Sequence, residues 1–278
     1  CKGNFKCCEH GEFYVMEEGK VAGLKSLKIL LGSIVVITII AVPLYFLLAG
    51  PNYCPEIDNM NESNPITEFT VQVVGDSLFG SDADGCASVS TFMSLRLWLQ
   101  VEDHSEPGAT VTGDESIPKQ YVGNPEPVSG QYGDWNWTVI NGGANDIMPY
   151  CTENDCDDVL DEIITDSGEG LIPDLVEKAQ NDGSNVILIG YYSVPKGSEY
   201  EPVILEVEIL NDRYSEYAKA NEGVYFISLK EVMSPEETPD LYSDDLVHPS
   251  DDGHFAIGEY IADFIIDEHK KETGMWFR

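Results

Sequence analysis

Short apolar runs alternate with amphipathic stretches along most of the chain. The strand-like runs are Val71–Val74, Trp137–Asn141, Asn185–Gly190 and Val224–Leu229. The helical patterns are Ala87–Leu99, Asp157–Ala179 with a break near Gly168, Pro202–Ala220 and Gly253–His269. Asn185–Gly190 is continuously apolar, which is typical of a central parallel strand. Strands that alternate with helices predict an α/β fold, a parallel sheet with helices on both faces.

One region has an ambiguous pattern. Leu95–Val101 alternates like a strand, although it overlaps the helical stretch Ala87–Leu99. Residues 102–134 that follow are polar and rich in Gly and Pro, which indicates a long loop region.

A much longer apolar segment precedes these elements. Residues 27–49 contain a single charge, Lys28, at their edge. About 20 such residues are needed to cross a bilayer as a helix, and the segment is longer than the apolar part of a signal peptide. The pattern therefore predicts a transmembrane signal anchor at 27–49, after a tail at 1–26 and before a stalk at 50–66. Residues 67–278 then form the folded domain.

The basic residues around this segment predict its orientation. Three lysines precede or open it: Lys20, Lys25 and Lys28. The next basic residue on the other side is Arg96. By the positive-inside rule the N-terminus is cytosolic and the folded domain is lumenal or extracellular. N-glycosylation sequons at Asn61 and Asn136 agree with this topology.

Four cysteines follow the predicted anchor, and they allow three pairings. Cys151 and Cys156 flank a four-residue loop, so a local bridge is expected between them, which leaves Cys54 to pair with Cys86. A metal site is the alternative, but no Cys-x-x-Cys spacing or neighbouring His accompanies these residues. The pattern predicts two disulfides, no metal and no cofactor.

The net charge of the chain limits the kinds of molecule that it can bind. The chain has 50 Asp+Glu against 15 Lys+Arg, a formal net charge of −35. Such a surface repels nucleic acid and other anionic polymers. The acidic residues are scattered along the chain, which indicates a solvated acidic surface.

Two motifs far apart in the chain carry complementary chemistry. Gly75-Asp76-Ser77-Leu78 follows the first strand, and Asp245-Leu246-Val247-His248 precedes the last helix. A serine hydroxyl needs a histidine base, and the base needs a carboxylate that orients it. A third motif, Gly143-Ala144-Asn145-Asp146, follows the second strand, where the Asn amide could donate to an oxyanion. Strand ends of a parallel sheet share one edge, so these residues are expected to converge.

These motifs, in this order, resemble the SGNH (GDSL-type) esterase and lipase family over roughly residues 67–268. The Gly-x-Ser-x-Gly motif of other serine hydrolases is absent, because Phe79 stands two positions after Ser77. The resemblance implies a flavodoxin-like three-layer α/β/α fold. It also implies that Ser77 is the nucleophile, His248 the base and Asp245 the residue that orients it. Asp244 is the alternative orienter, but its spacing does not match Asp-x-x-His.

The family resemblance also implies an oxyanion hole. Its donors are the Ser77 amide, a glycine amide and the Asn145 side chain. Gly108, in Pro107-Gly108-Ala109-Thr110, fits the glycine position better than Gly113 does. His104 lies near this motif and could reach the cleft, whereas His254 is expected to pack on the last helix.

The resulting prediction is a membrane-anchored serine esterase that works through an acyl-enzyme. Its substrate is an acyl ester: an O-acetylated glycan, a small ester or a lipid. Acyl transfer from the same acyl-enzyme to a sugar hydroxyl is a second possibility. A non-catalytic ectodomain that serves assembly or adhesion is a third, but the intact motifs argue against it.

Overall fold

The architecture is that of a computed structural model, which describes residues 70–80, 87–114, 116–123, 135–151 and 156–274. The predictions for the anchor at 27–49, the Cys54–Cys86 pairing and the sequon at Asn61 lie outside the described residues. Within them, every helix is too short or too polar to cross a bilayer.

The described residues contain a sheet of five parallel strands. The strands are β1 (Val71–Val74), β2 (Val101–Asp103), β3 (Trp137–Ile140), β4 (Asn185–Gly190) and β5 (Val224–Ser228). Their order across the sheet is β2-β1-β3-β4-β5, the order of flavodoxin-like sheets. The parallel sheet predicted from the sequence is confirmed.

Helices connect the strands. The α-helices are α1 (Ser77–Gly80), α2 (Val89–Leu97), α3 (Ile117–Gln120), α4 (Ala144–Cys151), α5 (Asp157–Ile163), α6 (Leu171–Asn181), α7 (Ile204–Ala220) and α8 (Asp251–Thr273). Short 3₁₀ turns lie at Glu201–Val203, Leu229–Glu231 and Pro239–Leu241. Serine side chains cap α2 and α8, where Ser88 accepts from the Thr91 amide and Ser250 from the Gly253 amide.

Helices cover both faces of the sheet. On one face Tyr225 of β5 packs edge-on against Phe264 of α8, with ring centroids 5.4 Å apart. The next residue, Phe226, must point to the opposite face because side chains alternate along a strand. There, a Cβ placed on Gly190 would lie 2.6 Å from Phe226 and 2.9 Å from Asn211 of α7. Helix α8 and helix α7 therefore lie on opposite sides of the sheet, which gives three layers.

Strand β4, which lies inside the sheet between β3 and β5, is fully buried over most of its length. Val186–Ile189 of β4 are fully inaccessible to solvent, as the continuous apolar run predicted. Helix α8 buries Ile257, Ile261 and Ile265, one face at helical spacing. It begins two residues earlier and ends four residues later than its apolar pattern, because capping residues and charged turns extend it beyond the buried stretch.

The ambiguous stretch Leu95–Val101 divides between a helix and a strand. The segment Leu95–Val101 is neither all helix nor all strand, since α2 ends at Leu97 and Trp98 adopts a left-handed conformation with φ 55°. Strand β2 then begins at Val101, where the ambiguous stretch meets the predicted loop region. A strand of three residues at the edge of a sheet is too short to show a period of two.

The Cys151–Cys156 disulfide is present and joins the end of α4 to the start of α5, which confirms that pairing. The sequon residue Asn136 is half-buried at the start of β3. Its side-chain oxygen accepts from the Thr70 amide over 2.7 Å, so this side chain already ties β3 to β1. Glycosylation at Asn136 stays a prediction.

Candidate active site

The turn after β1 presents Ser77 as the first residue of α1. Gly75 makes the turn possible, because a Cβ there would lie 2.8 Å from the Phe79 ring and 3.1 Å from the Asn141 carbonyl oxygen. Asp76 then accepts from the Leu78 amide through Oδ1 over 3.0 Å. Gly-Asp-Ser is thus a tight strand-to-helix turn that leaves Ser77 half-exposed at the carboxyl edge of the sheet.

Ser77, His248 and Asp245 form a continuous hydrogen-bonded line. His248 Nε2 lies 2.9 Å from Ser77 Oγ, and His248 Nδ1 lies 2.6 Å from Asp245 Oδ2. The two ring nitrogens therefore face a hydroxyl and a carboxylate. In this arrangement Nδ1 donates to the carboxylate and Nε2 is free to accept the serine proton.

The second oxygen of Asp245 fixes the loop that carries His248. Asp245 Oδ1 accepts from the Val247 amide over 2.8 Å and from the His248 amide over 2.9 Å. It also accepts from the Ser243 hydroxyl over 2.6 Å. Leu246 between them has φ 61°, a left-handed conformation that costs free energy in a non-glycine residue. The carboxylate hydrogen bonds hold this strained turn, which sets the spacing Asp-x-x-His.

The protonation state of Asp245 suits this role. Burial raises its pKa, but hydrogen bonds from the His248 ring, the Ser243 hydroxyl and the two backbone amides outweigh burial. The net effect lowers the pKa of Asp245 below its ordinary value, so the carboxylate is ionised at neutral pH. The neighbouring Asp244 is exposed, and the carboxylate that contacts His248 is that of Asp245.

Asn145 reaches the same cleft from the turn after β3. The turn needs Gly143, whose φ is +107° and where a Cβ would lie 2.6 Å from Leu210. Asn145 Nδ2 donates to the Ala109 carbonyl over 2.9 Å, and Asn145 Oδ1 accepts from the Tyr200 hydroxyl over 2.7 Å. An amide nitrogen carries two hydrogens, so one of them remains available for an oxyanion.

The Ala109 carbonyl and the Tyr200 hydroxyl together hold the Asn145 amide in one orientation. Burial, assisted by the negative charges of Asp76 and Glu199, raises the pKa of Tyr200 to about 12. Its hydroxyl is therefore protonated at neutral pH and acts as a donor. The Ala109 carbonyl can only accept, so an exchange of the Asn145 amide oxygen and nitrogen would lose that hydrogen bond.

The segment that contains Gly108 lies against Asn145. Gly108 has φ +77° and directly precedes Ala109, whose carbonyl accepts from Asn145. Asp146 fastens the same segment, because its Oδ2 accepts from the Val111 amide over 2.8 Å and its Oδ1 from the Thr112 amide over 3.0 Å. The contact through Ala109 favours Gly108 over Gly113 as the glycine beside Asn145.

A buried network joins the serine turn to the asparagine turn. Asp76 is only 3% exposed, and burial raises its pKa. Its Oδ2 accepts from the Tyr191 hydroxyl over 2.5 Å, and the same hydroxyl oxygen accepts from the Ala144 amide over 3.2 Å. With its amide nitrogen toward Asp76, Asn141 donates to Oδ1 over 2.7 Å. These contacts fix the distance between the residues that flank Ser77 and Asn145.

The sequence analysis gave no role to Tyr191, Tyr200 or Asp146. Asp146 directly follows Asn145 in the Gly-Ala-Asn-Asp motif, and this position could have indicated that it belongs to the site. Tyr191 and Tyr200 follow β4 in a polar segment with no periodic pattern. Of the two histidines left open, His254 is buried in α8 as expected, and His104 is absent from the residues that line the pocket beside Ser77.

That pocket opens between the strand ends and helix α7. Its empty volume, open solvent included, is about 630 Å³. Ser77, His248 and Asn145 border one part of it. The remainder is lined by Tyr191, Tyr192, Ser193, Val194, Tyr200, Ile204, Val207, Glu208, Asn211 and Lys230. A mostly apolar cleft with a few convergent polar groups is the usual form of a small-molecule site.

Solved structures share this fold. A member of the lipolytic protein G-D-S-L family from Veillonella parvula DSM 2008 matches with a TM-score of 0.53 and 15% identity, covering 72% of this chain and 98% of that one. Est24, a carbohydrate acetylesterase from Sinorhizobium meliloti, matches with a TM-score of 0.51 and 13% identity, covering 72% and 99%. A protein from Lactobacillus plantarum matches with a TM-score of 0.50 and 18% identity, covering 72% and 97%. At these identities the likeness concerns the fold alone.

Family membership rests on the sequence itself. A search of curated proteins found no match. The model of the GDSL-like Lipase/Acylhydrolase family matches residues 73–256. This span is most of the described domain, and it contains the serine, asparagine and Asp-x-x-His motifs. The chain belongs to the GDSL-like lipase/acylhydrolase family.

Proposed function

We propose that the protein is a serine esterase that hydrolyses a carboxylic ester through an acyl-enzyme. The observation that carries the proposal is the line from Asp245 through His248 to Ser77, with separations of 2.6 Å and 2.9 Å. Both distances are within hydrogen-bond reach. Family membership supports ester hydrolysis as the reaction class.

In the proposed reaction each residue of the site has a role. Ser77 Oγ attacks the ester carbonyl while His248 Nε2 takes its proton, and Asp245 stabilises the imidazolium that forms. The carbonyl oxygen gains negative charge and accepts from the Asn145 side chain, with the Ser77 and Gly108 amides as the other proposed donors. Collapse of the tetrahedral intermediate releases the alcohol, which His248 protonates. Water then cleaves the acyl-enzyme by the same steps.

Hydrolysis of nitrophenyl esters by the purified full chain tests the proposal. Nitrophenolate release reports turnover, and labelling by a fluorophosphonate probe reports an activated serine independently of the substrate. We expect both signals, and both should disappear together when Ser77 is modified. A protein that hydrolyses no ester and is not labelled would be the non-catalytic ectodomain instead.

Asn145→Ala should lower kcat by about 10²–10³ with little change in KM. The reason is that its free amide hydrogen meets full negative charge only in the transition state. Steady-state kinetics on one ester are sufficient. A variant that changes KM alone would remove Asn145 from the oxyanion hole.

Tyr200→Phe tests whether Tyr200 orients Asn145, because it deletes only the hydroxyl that donates to Asn145 Oδ1. It should reduce kcat less than Asn145→Ala and cause no further loss when the two are combined, since Tyr200 acts through Asn145. Tyr121→Phe is a control, because it removes a hydroxyl that also donates over 2.9 Å, to Asp182 at the end of α6 and away from the cleft.

The proposed location of the enzyme is the surface of a membrane. The segment 27–49 would anchor it, with the active site in an oxidising compartment and glycans on Asn61 and Asn136. Cys54 should then be bridged to Cys86 as Cys151 is to Cys156. Peptide mapping of the full chain without reductant checks this, and free thiols at all four positions would contradict the topology and the pairing.

A further inference from the structure

We propose that the pocket beside Ser77 binds an apolar acyl chain longer than acetyl, so that the enzyme prefers medium-chain esters to acetate esters. The inference rests on the proposed function and names the substrate class of the same site. It depends on where the pocket lies and on how its polar groups are already engaged.

The pocket extends along the carboxyl edge of the sheet. Ser77 follows β1 and Asn145 follows β3, whereas Tyr191–Val194 follow β4 and Lys230 follows β5. From β1 to β5 the sheet order contains three strand spacings, which is about 14 Å at about 4.8 Å each. An acetyl group attached to Ser77 would occupy only the beginning of this length.

Three tyrosines line the pocket with their rings while their hydroxyls are engaged elsewhere. The Tyr191 hydroxyl donates to Asp76, the Tyr192 hydroxyl to the Val247 carbonyl over 2.6 Å, and the Tyr200 hydroxyl to Asn145. All three hydrogen bonds hold parts of the catalytic apparatus. The rings therefore offer a substrate apolar surface and few free donors.

Asn211 and the Lys230–Glu208 pair of the pocket are also engaged in hydrogen bonds within the protein. Asn211 accepts from the Tyr191 amide over 2.8 Å and donates to the Tyr191 carbonyl over 3.0 Å. Lys230 donates to Glu208 over 2.9 Å. A sugar in this part of the pocket would need hydrogen bonds that compensate for its lost hydration. Because the tyrosine hydroxyls, Asn211 and Lys230 already have protein partners, an aliphatic chain fits the lining better.

Three aliphatic side chains also line this part of the pocket. Val194, Ile204 and Val207 face the same space as the tyrosine rings. Each methylene removed from water contributes about a fourfold gain in kcat/KM when it is fully buried. A chain that covers these side chains should therefore be hydrolysed more efficiently than acetate, until the pocket is filled.

The test is a chain-length series with a constant leaving group. Nitrophenyl acetate, butyrate and octanoate are compared with the full chain, below the solubility limit of each ester. We expect kcat/KM to rise from acetate to butyrate and octanoate by at least about tenfold overall, a conservative fraction of the gain per methylene. A second series of acetate esters with lengthening alcohols should show a much weaker dependence, because the acyl side occupies the pocket.

A variant that fills the pocket sharpens the test. Val207→Trp should remove most of the preference for octanoate over acetate, because the indole would occupy the space of the longer chain. Leu205→Trp is the matched control, because this side chain lies on the same helix and is 69% exposed. It should keep the wild-type profile. Fluorophosphonate labelling of each variant shows that the serine is still activated.

The outcomes separate this inference from the proposed function. Serine-dependent hydrolysis with acetate as the best substrate overturns the acyl pocket and leaves the esterase in place. A preference that follows the alcohol chain overturns the assignment of the pocket to the acyl group. Wild-type protein that hydrolyses no ester and takes no label overturns both. The wild-type series decides the matter even if Val207→Trp fails to fold.

Discussion

Ser77→Ala should abolish ester hydrolysis while the protein keeps its fold. The substitution removes Ser77 Oγ, the atom that His248 Nε2 contacts and that attacks the ester in the proposed reaction. Loss of a nucleophilic serine in other hydrolases costs about 10⁶ in kcat. Ser77 is half-exposed on a turn, and its hydroxyl fills no cavity. We therefore expect a change in the free energy of unfolding within about 0.5 kcal/mol.

Activity and thermal unfolding of the same preparation check this expectation. Ser193→Ala is a suitable control, because Ser193 lines the same pocket but follows β4 and has no place in the triad. It should retain activity within a fewfold of wild type. Full activity of Ser77→Ala would exclude the serine mechanism, and a large loss of stability would show that the turn depends on the hydroxyl.

The sheet was predictable because its strands are short apolar runs between helical patterns. The run Asn185–Gly190 has the same bounds in the structure as in the sequence. Burial on both faces makes such a strand apolar throughout, so its ends coincide with the ends of the pattern. Strand β2 was not predictable for the opposite reason. Its burial falls from Val101 to Asp103 as it leaves the sheet edge, and one buried residue gives no period.

The residues of the candidate site were predictable for a different reason, which is the order of three motifs. Each motif is weak alone, but a parallel sheet brings strand ends to one edge, and the Ser77, Asn145 and His248 motifs converge there. The tyrosines were not predictable. Tyr191 and Tyr200 act through contacts with Asp76 and Asn145 that span many residues, and no local spacing encodes such contacts.

Asp245→Asn should lower kcat by about 10⁴, whereas Asp244→Asn should have little effect. Asp245 Oδ2 accepts from His248 Nδ1, which places the acceptor lone pair on Nε2 toward Ser77. An asparagine can present its NH₂ group to Nδ1 and so stabilise the tautomer that cannot accept the serine proton. Asp244 is exposed, and its substitution changes only one charge on an acidic surface.

This pair of variants separates orientation from folding. The asparagine side chain introduced by Asp245→Asn would still have an oxygen for the Val247 and His248 amides, so the loop should keep its shape while the histidine loses its carboxylate.

Because the pKa of Asp245 is lowered by these hydrogen bonds, its ionised form contributes stability above the unfolded pKa of about 3.9. That contribution is lost as pH falls through the lower folded value, so Asp245→Asn should reduce stability slightly at neutral pH. An inactive Asp244→Asn beside an active Asp245→Asn would show that the carboxylate of the pair is Asp244. Full activity of both would show that His248 works without a carboxylate or is not the base.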